Sequence, residues 1–206
     1  MWSFFKKKYP VIFPAGTHGM SNEFVDREVL GIMDHLRRKG FEAYLVGGSI
    51  RDILLGKRVK DFDIVTDAHP RQIKRLFKRC FLIGKRFRLA HVYVSKDRFI
   101  EVATFRALVV PAEMKDTGKK YAENNVFGTI EEDALRRDFT INALYYNSAD
   151  SSIEDYTGGM DDIKKRLLRS IGDPLRRFKE DPVRIIRAGR FCAQLNFSLP
   201  RKERKA

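Results

Sequence analysis

The stretch from Tyr44 to Val65, YLVGGSIRDILLGKRVKDFDIV, leaves this chain few architectural choices. It reads as a short apolar strand, a Gly-Gly corner, a helical turn, a basic loop and a second strand. Asp61 and Asp63 stand two apart on that second strand. Side chains at i and i+2 leave a strand on one face, so the two carboxylates project together. Gly47 and Gly48 carry no Cβ and let backbone amides approach a ligand closely. Arg51 adds a planar fork matched to phosphate oxygens, and the adjacent Asp52 reads as the partner that orients it. Such a group suits a metal-bound triphosphate. Mg²⁺ takes carboxylate and phosphate oxygens, and two such ions can activate an attacking oxygen and stabilise a leaving one. The spacing is neither that of a P-loop nor that of a dinucleotide fingerprint.

Charge narrows the partners. Lys and Arg number 41 against 27 Asp and Glu, a net charge of +14 over 206 residues. Residues 71–91 hold eight Lys/Arg and no acid, and residues 164–190 hold ten against three acids. An excess of this size attracts polyanions, so nucleic acid is the first expected partner and an anionic membrane surface the second. A membrane span is not expected, because no apolar run approaches about 18 residues. The opening MWSFFKKKYP also lacks the order and length of a secretory signal. Hydrophobic residues make up 43% of the chain, enough for a packed core rather than a disordered tail. Cys80 and Cys192 match neither a metal site nor a disulfide framework and read as reduced, packed, cytosolic residues.

Along the chain, residues 1–20 read as an irregular arm broken by Pro10, Pro14 and Gly16. Val25, Val29, Ile32, Met33 and Leu36 predict a helix over 22–39 capped by Ser21 and ended by Gly40. Strands are expected at 42–46 and 61–66, with a short helix at 49–55 between them. Pro70 opens a helix that points Ile73, Leu76 and Phe77 inward. His91–Ser95 and Arg98–Thr104 alternate as a hairpin around Lys96-Asp97. Glu101 on that hairpin is either a third acid beside the DFD strand or an ordinary solvent-facing residue. Residues 107–127 form a long polar loop. Thr129 and Glu132 make a capping box. Residues 139–147 pass from helix to strand, 160–168 are helical and 169–171 form a short strand. After residue 172 strands give way to two helices broken at Pro182. Phe77, Phe81 and Phe87, interleaved with the first basic stretch, are assigned to the core.

The motifs GGSIRD, DFD, RRDFTINAL, DYTGGMDDI and EDPVRIIR follow one another in an order that resembles the class II nucleotidyltransferases, the family of bacterial poly(A) polymerases and CCA-adding enzymes. The resemblance covers roughly residues 41–197 and implies a mixed α/β (α+β) head, built on an antiparallel-rich sheet flanked by helices and followed by a helical neck. It divides the chain into an arm (1–20), a catalytic head (21–172) and the start of a neck (173–206). Members of the family continue into further RNA-holding domains, whereas this sequence ends at SLPRKERKA and reads as a truncated neck. The resemblance implies that Arg137 and Asp138 meet the nucleotide sugar and phosphates, that Asp181 with Arg184 reads the incoming base, and that Arg187 contacts the nucleotide. Asp138 thereby competes with Glu101 as third catalytic acid beside Asp61 and Asp63. Its ordinary alternative is an ion pair with Arg136 or Arg137. Asp155, Gly158 and Gly159 read as a structural turn. The segment LIGKRFRLAHV at 82–92 looks like the poly(A) polymerase version. The implied activity is therefore addition of AMP from ATP to the 3′ end of an mRNA or tRNA, with two Mg²⁺ ions or Mn²⁺ in their place. CCA or A addition to tRNA is the alternative, and a silent RNA-binding module is the alternative of another class.

Overall fold

A computed structural model describes residues 9–84, 88–107 and 126–206. Most of the loop expected at 107–127, and Phe87 within the first basic stretch, lie outside the described residues. Eight strands form a single sheet in the order β1-β8-β7-β2-β3-β6-β5-β4. In chain order these are β1 (Val11–Phe13), β2 (Ala43–Val46), β3 (Asp63–Thr66), β4 (Cys80–Ile83), β5 (Leu89–Tyr93), β6 (Phe99–Thr104), β7 (Leu144–Asn147) and β8 (Ser152–Asp155). Every neighbouring pair is antiparallel except β3 and β6. The mixed, antiparallel-rich sheet flanked by helices is the architecture the sequence implied.

Helix α1 (Arg27–Arg38) buries Val29, Ile32, Met33 and Leu36, as their spacing requires. It starts later than expected. Asn22–Phe24 form a 3₁₀ turn, Val25 is extended, and Asp26 rather than Ser21 precedes the helix. The cause is Asn22, whose side chain donates to the Ser148 carbonyl at 3.0 Å and accepts from the Tyr146 hydroxyl at 2.9 Å. An asparagine committed to β7 competes with helical continuation.

Helix α2 (Gly48–Leu54) follows β2 directly, and α3 (Pro70–Leu76) opens on its proline with Ile73 fully buried. Helix α4 (Ile130–Arg136) carries the capping box: Glu132 N–H donates to the Thr129 hydroxyl at 3.3 Å and Thr129 N–H to the Glu132 carboxylate at 2.9 Å. Helix α5 (Gly159–Lys164) is shorter than the predicted 160–168, since Arg166 takes a left-handed φ of 52°. The strand expected at 169–171 is only an isolated bridge from Ser170 to Phe139. Helices α6 (Pro174–Glu180) and α7 (Val183–Leu195) break at Pro182 as read, and α8 (Arg201–Lys205) follows.

The N-terminal arm is not wholly irregular. Val11–Phe13, a β-prone run between two prolines, pairs with β8 from Val11↔Asp155 to Phe13↔Ile153. It covers polar backbone that β8 would otherwise present as an open edge. β4 and β8 also went unpredicted.

One face of the sheet packs Leu45, Ile64, Val92 and Val102 into the main core with residues of α1 and α3, and with Ala188, Phe191 and Leu195 of α7. On the opposite face Val46, Val65, Tyr145 and Tyr156 pack under Ala134 of α4. At the β4–β5–β6 end no described helix packs on that second face, and Phe81, assigned to the core from sequence, is 58% exposed there. Among the described residues no helix is long and apolar enough to cross a membrane.

Candidate functional site

β2 delivers the chain to the glycine corner. Gly47 has φ 86° and ψ −140°, a conformation closed to L side chains, so the turn itself demands glycine. A Cβ placed there would sit 3.7 Å from Asp63 Oδ2 and 4.0 Å from Arg137 Nη1. The corner, the second aspartate and the RRD arginine therefore converge on one point.

Asp61 lies outside β3, which begins at Asp63, so the expected placement of both acids on the strand is corrected. The alternation nevertheless extends one residue beyond it: Phe62 is buried and both acids are exposed. Asp61, Asp63 and Glu101 line a common cleft of about 430 Å³. Glu101 is the register partner of Asp63 across the parallel pair. Desolvation by the cleft walls, then the charge of Glu101, push the Asp63 carboxyl above its ordinary pKa; Arg137 opposes the shift and Asp61 adds to it.

Among the described residues no three carboxylate, imidazole or thiol groups are gathered tightly enough to hold a metal ion. Glu101 instead approaches His91, with Oε1 3.4 Å from Nε2. The donor chemistry still fits Mg²⁺, which is commonly bound by one or two carboxylates with phosphates and water completing its shell. Asp61, Asp63 and Glu101 are hard-oxygen donors lining the cleft.

Arg51 is buried and largely committed. Nε and Nη2 each donate to Asp52 at 2.9 Å, as its sequence neighbour suggested, and Nη1 donates to Asn142 Oδ1 at 2.6 Å. Asn142 Nδ2 in turn donates to Asp138 Oδ1 at 3.3 Å. Arg187 Nε and Nη2 reach Asp138 Oδ2 at 2.7 and 2.6 Å. A continuous polar chain thus runs Asp52–Arg51–Asn142–Asp138–Arg187, from the glycine corner to α7.

The local pair considered for Asp138 is not formed. Arg136 and Arg137 turn to Asp133, three and four residues back on α4, Arg137 at 2.9 Å. The Tyr145 hydroxyl also donates to Asp133 at 2.8 Å. Burial alone would raise the Asp133 carboxyl, but Arg137 and Arg136 together hold it below the usual range. Arg177 of α6 donates to the carbonyls of Arg136 at 2.6 Å and Arg137 at 2.9 Å, bracing this segment from behind.

Asp181 caps the end of α6 and lies 3.7 Å from Arg184, whose Nη1 is buried without a hydrogen bond. Asp155 accepts from the backbone N–H groups of Thr157, Gly158, Gly159 and Met160, so the DYTGG turn is structural as read. Sequence reasoning missed Asp133, Asn142 and Arg177. The i−3/i−4 spacing from Arg136 and Arg137 would have found the first. Asn142 lay inside RRDFTINAL without being singled out, and nothing local marks Arg177.

Residues 43–169 match the family of the poly A polymerase head domain. A poly(A) polymerase I from Haemophilus influenzae is 50% identical over 194 residues, 91% of this chain and 43% of the relative. A CCA-adding enzyme from Bacillus velezensis is 41% identical over 187 residues, 91% of this chain and 45% of the relative. The crystal structure of the Bacillus stearothermophilus CCA-adding enzyme in complex with CTP superposes with a TM-score of 0.75 at 35% identity, covering 89% of this chain and 42% of that one. The chain spans less than half the length of the curated relatives it matches. With its glycine corner, Asp63 and the RRD arginine meeting at one point beside the acidic cleft, the chain belongs to the poly(A) polymerase head-domain family of nucleotidyltransferases.

Proposed function

We propose that this chain transfers AMP from ATP to the 3′ end of RNA without a template. The observation that carries the reading is the convergence of Gly47, Asp63 and Arg137 within about a Cβ contact, with Glu101 next in register. In the reaction the 3′ oxygen of the RNA attacks the α-phosphorus of ATP. The O3′–Pα bond forms, the bond from Pα to the bridging oxygen breaks, pyrophosphate leaves, and the hydroxyl proton passes to solvent.

Divalent cations, two Mg²⁺ or Mn²⁺ in their place, supply charge neutralisation and nucleophile activation when bound. Asp61 and Asp63 are the residues to hold them. Gly47 and Gly48 admit phosphates against the backbone, and Arg137 faces them. Glu101, inside the cleft, is the better third acid. Asp138, engaged by Arg187 and Asn142, positions rather than ligates. Arg51 keeps the corner in place through Asp52 and Asn142. Asp181 with Arg184 reads the base, and Arg187 ties that helix to the head. Residues 173–206 form the start of the neck, with the head before them.

Higher identity to a poly(A) polymerase I than to a CCA-adding enzyme, together with the LIGKRFRLAHV segment, favours a run of A. The solved relatives that add CCA sustain the second reading. The test is incubation of this chain with Mg²⁺, ATP and CTP on a tRNA lacking its 3′ end and on an unstructured RNA. A lengthening run of A on both is expected. Addition of C-C-A, or of one A only after C-C, sinks the proposal in favour of CCA addition. RNA binding with no product at all would leave a silent binding module.

A further inference from the structure

The β4–β5–β6 end of the sheet carries a row of rings that runs into the acidic cleft. Register places Phe81 of β4 opposite His91 of β5, His91 opposite Glu101 of β6, and Glu101 opposite Asp63 of β3. Directly paired residues share a face, so these four form one transverse line. Tyr93 and Phe99 stand beside it on the same face. The rings touch in sequence: Phe81 to Tyr93 at 5.6 Å, Tyr93 to Phe99 at 5.5 Å, and Phe99 stacked on His91 at 4.0 Å with 6° between planes. His91 then meets Glu101.

Cross-strand ring pairs stabilise sheets, but stability alone does not ask for rings this exposed among the described residues. Phe81 is 58% and Phe99 39% exposed, while the reverse face of the same strands is buried in the core. Exposed cations flank the row at opposite ends of the β4–β5 hairpin, Arg79 before β4 and Arg88 before β5. From β4 to β3 there are three inter-strand gaps, roughly 14 Å, the length of a few nucleotides.

We propose that this face seats the unpaired bases at the 3′ end of the RNA acceptor, stacking them on Phe81, Tyr93 and Phe99 so that the terminal hydroxyl arrives at Asp63 and Glu101. The inference rests on the RNA-extending reading above for the identity of its occupant. Ring faces accept any base, which suits an acceptor whose sequence is not read, and the flanking arginines match its phosphates.

The experiment uses a short RNA ending in 2-aminopurine, with affinity and fluorescence quenching measured in the absence of ATP. Phe81→Leu and Phe99→Leu keep apolar bulk but remove the ring; Phe81→Tyr and Phe99→Tyr keep the ring. Each leucine variant is expected to bind RNA roughly 10-fold more weakly and to lose quenching, with ATP affinity unchanged and only a small fall in melting temperature from the lost ring pairs. The tyrosine variants are expected to behave as the parent. Leucine variants that bind and quench like the parent overturn the proposal. So does a parallel loss of ATP affinity, which would put the incoming base on these rings. Ring-dependent RNA binding by a chain that extends no RNA supports this inference while ending the transfer reading.

Discussion

Asp63 is a residue held against its own preference. The cleft withdraws water from its carboxylate, and Glu101 and Asp61 add like charge, against which Arg137 gives partial relief. Its pKa is therefore higher in the folded than in the unfolded chain, so the folded state binds more protons as pH rises past the ordinary carboxylate range. Stability falls across that window and stays lower at neutral pH. Asp63→Asn is expected to raise the melting temperature slightly at pH 7, with the gain vanishing below the usual carboxylate range, and to abolish nucleotide addition. Thermal melts at both pH values beside an activity assay check this. A variant that melts lower at pH 7, or that still extends RNA, contradicts the assignment. Asp133 is the opposite case, a fully buried acid that two arginines keep ionised. The two carboxylates differ in their partners: Asp133 is satisfied within the fold by two arginines and Tyr145, whereas Asp63 sits among like charges that Arg137 only partly offsets.

At the level of elements, the first turn of α7 inverts the usual arrangement of apolar residues inside and charged residues outside. Val183, Ile185 and Ile186 are exposed, Ile186 at 75%, while Arg184 is partly buried beside Asp181 and Arg187 reaches Asp138. Arg187 is one of its attachments, with Phe191 packing edge-on to Phe139 at 5.8 Å as another. Removing the arginine leaves Asp138 short of a charged donor. Arg187→Ala is therefore expected to cost about 1–3 kcal/mol in urea denaturation. A double-mutant cycle with Asp138→Ala should return a coupling above ~0.5 kcal/mol, and additivity of the two changes would mean that the pair contributes nothing. The parts legible in the sequence were those written locally: the Gly47 corner, the Asp61–Asp63 spacing, the Thr129–Glu132 box and the break at Pro182. What escaped depends on distant partners. Val11–Phe13 becomes a strand because β8 lies beside it, and Asn142 gains its importance from Arg51, 91 residues away. No window of sequence contains both ends of such a contact.

For the molecule as a whole, the net charge of +14 governs how the proposed RNA acceptor would be held. Counterion release makes such binding steeply salt-dependent. Between 50 and 200 mM salt, affinity for a short RNA is expected to fall by about 10³-fold or more if ~6–10 phosphates are contacted. Filter binding across that range checks it, and a flat response would show that base contacts dominate. The sheet has a seam of a different kind in its one parallel pair. β4, β5 and β6 form a meander that closes by short hairpins, whereas β3 joins β6 only through residues far apart in the chain, Asp63 with Glu101 and Thr66 with Thr104. Non-local pairing of this sort carries a loop-closure cost before it gains any contact. Sub-global opening of this sheet is therefore expected at the seam, the meander parting as a unit while the remaining strands keep their pairs. Because the two acids stand on opposite sides of the seam, every such opening dismantles the cleft at once. Amide exchange in β6 and the lifetime of the competent site should then be one clock.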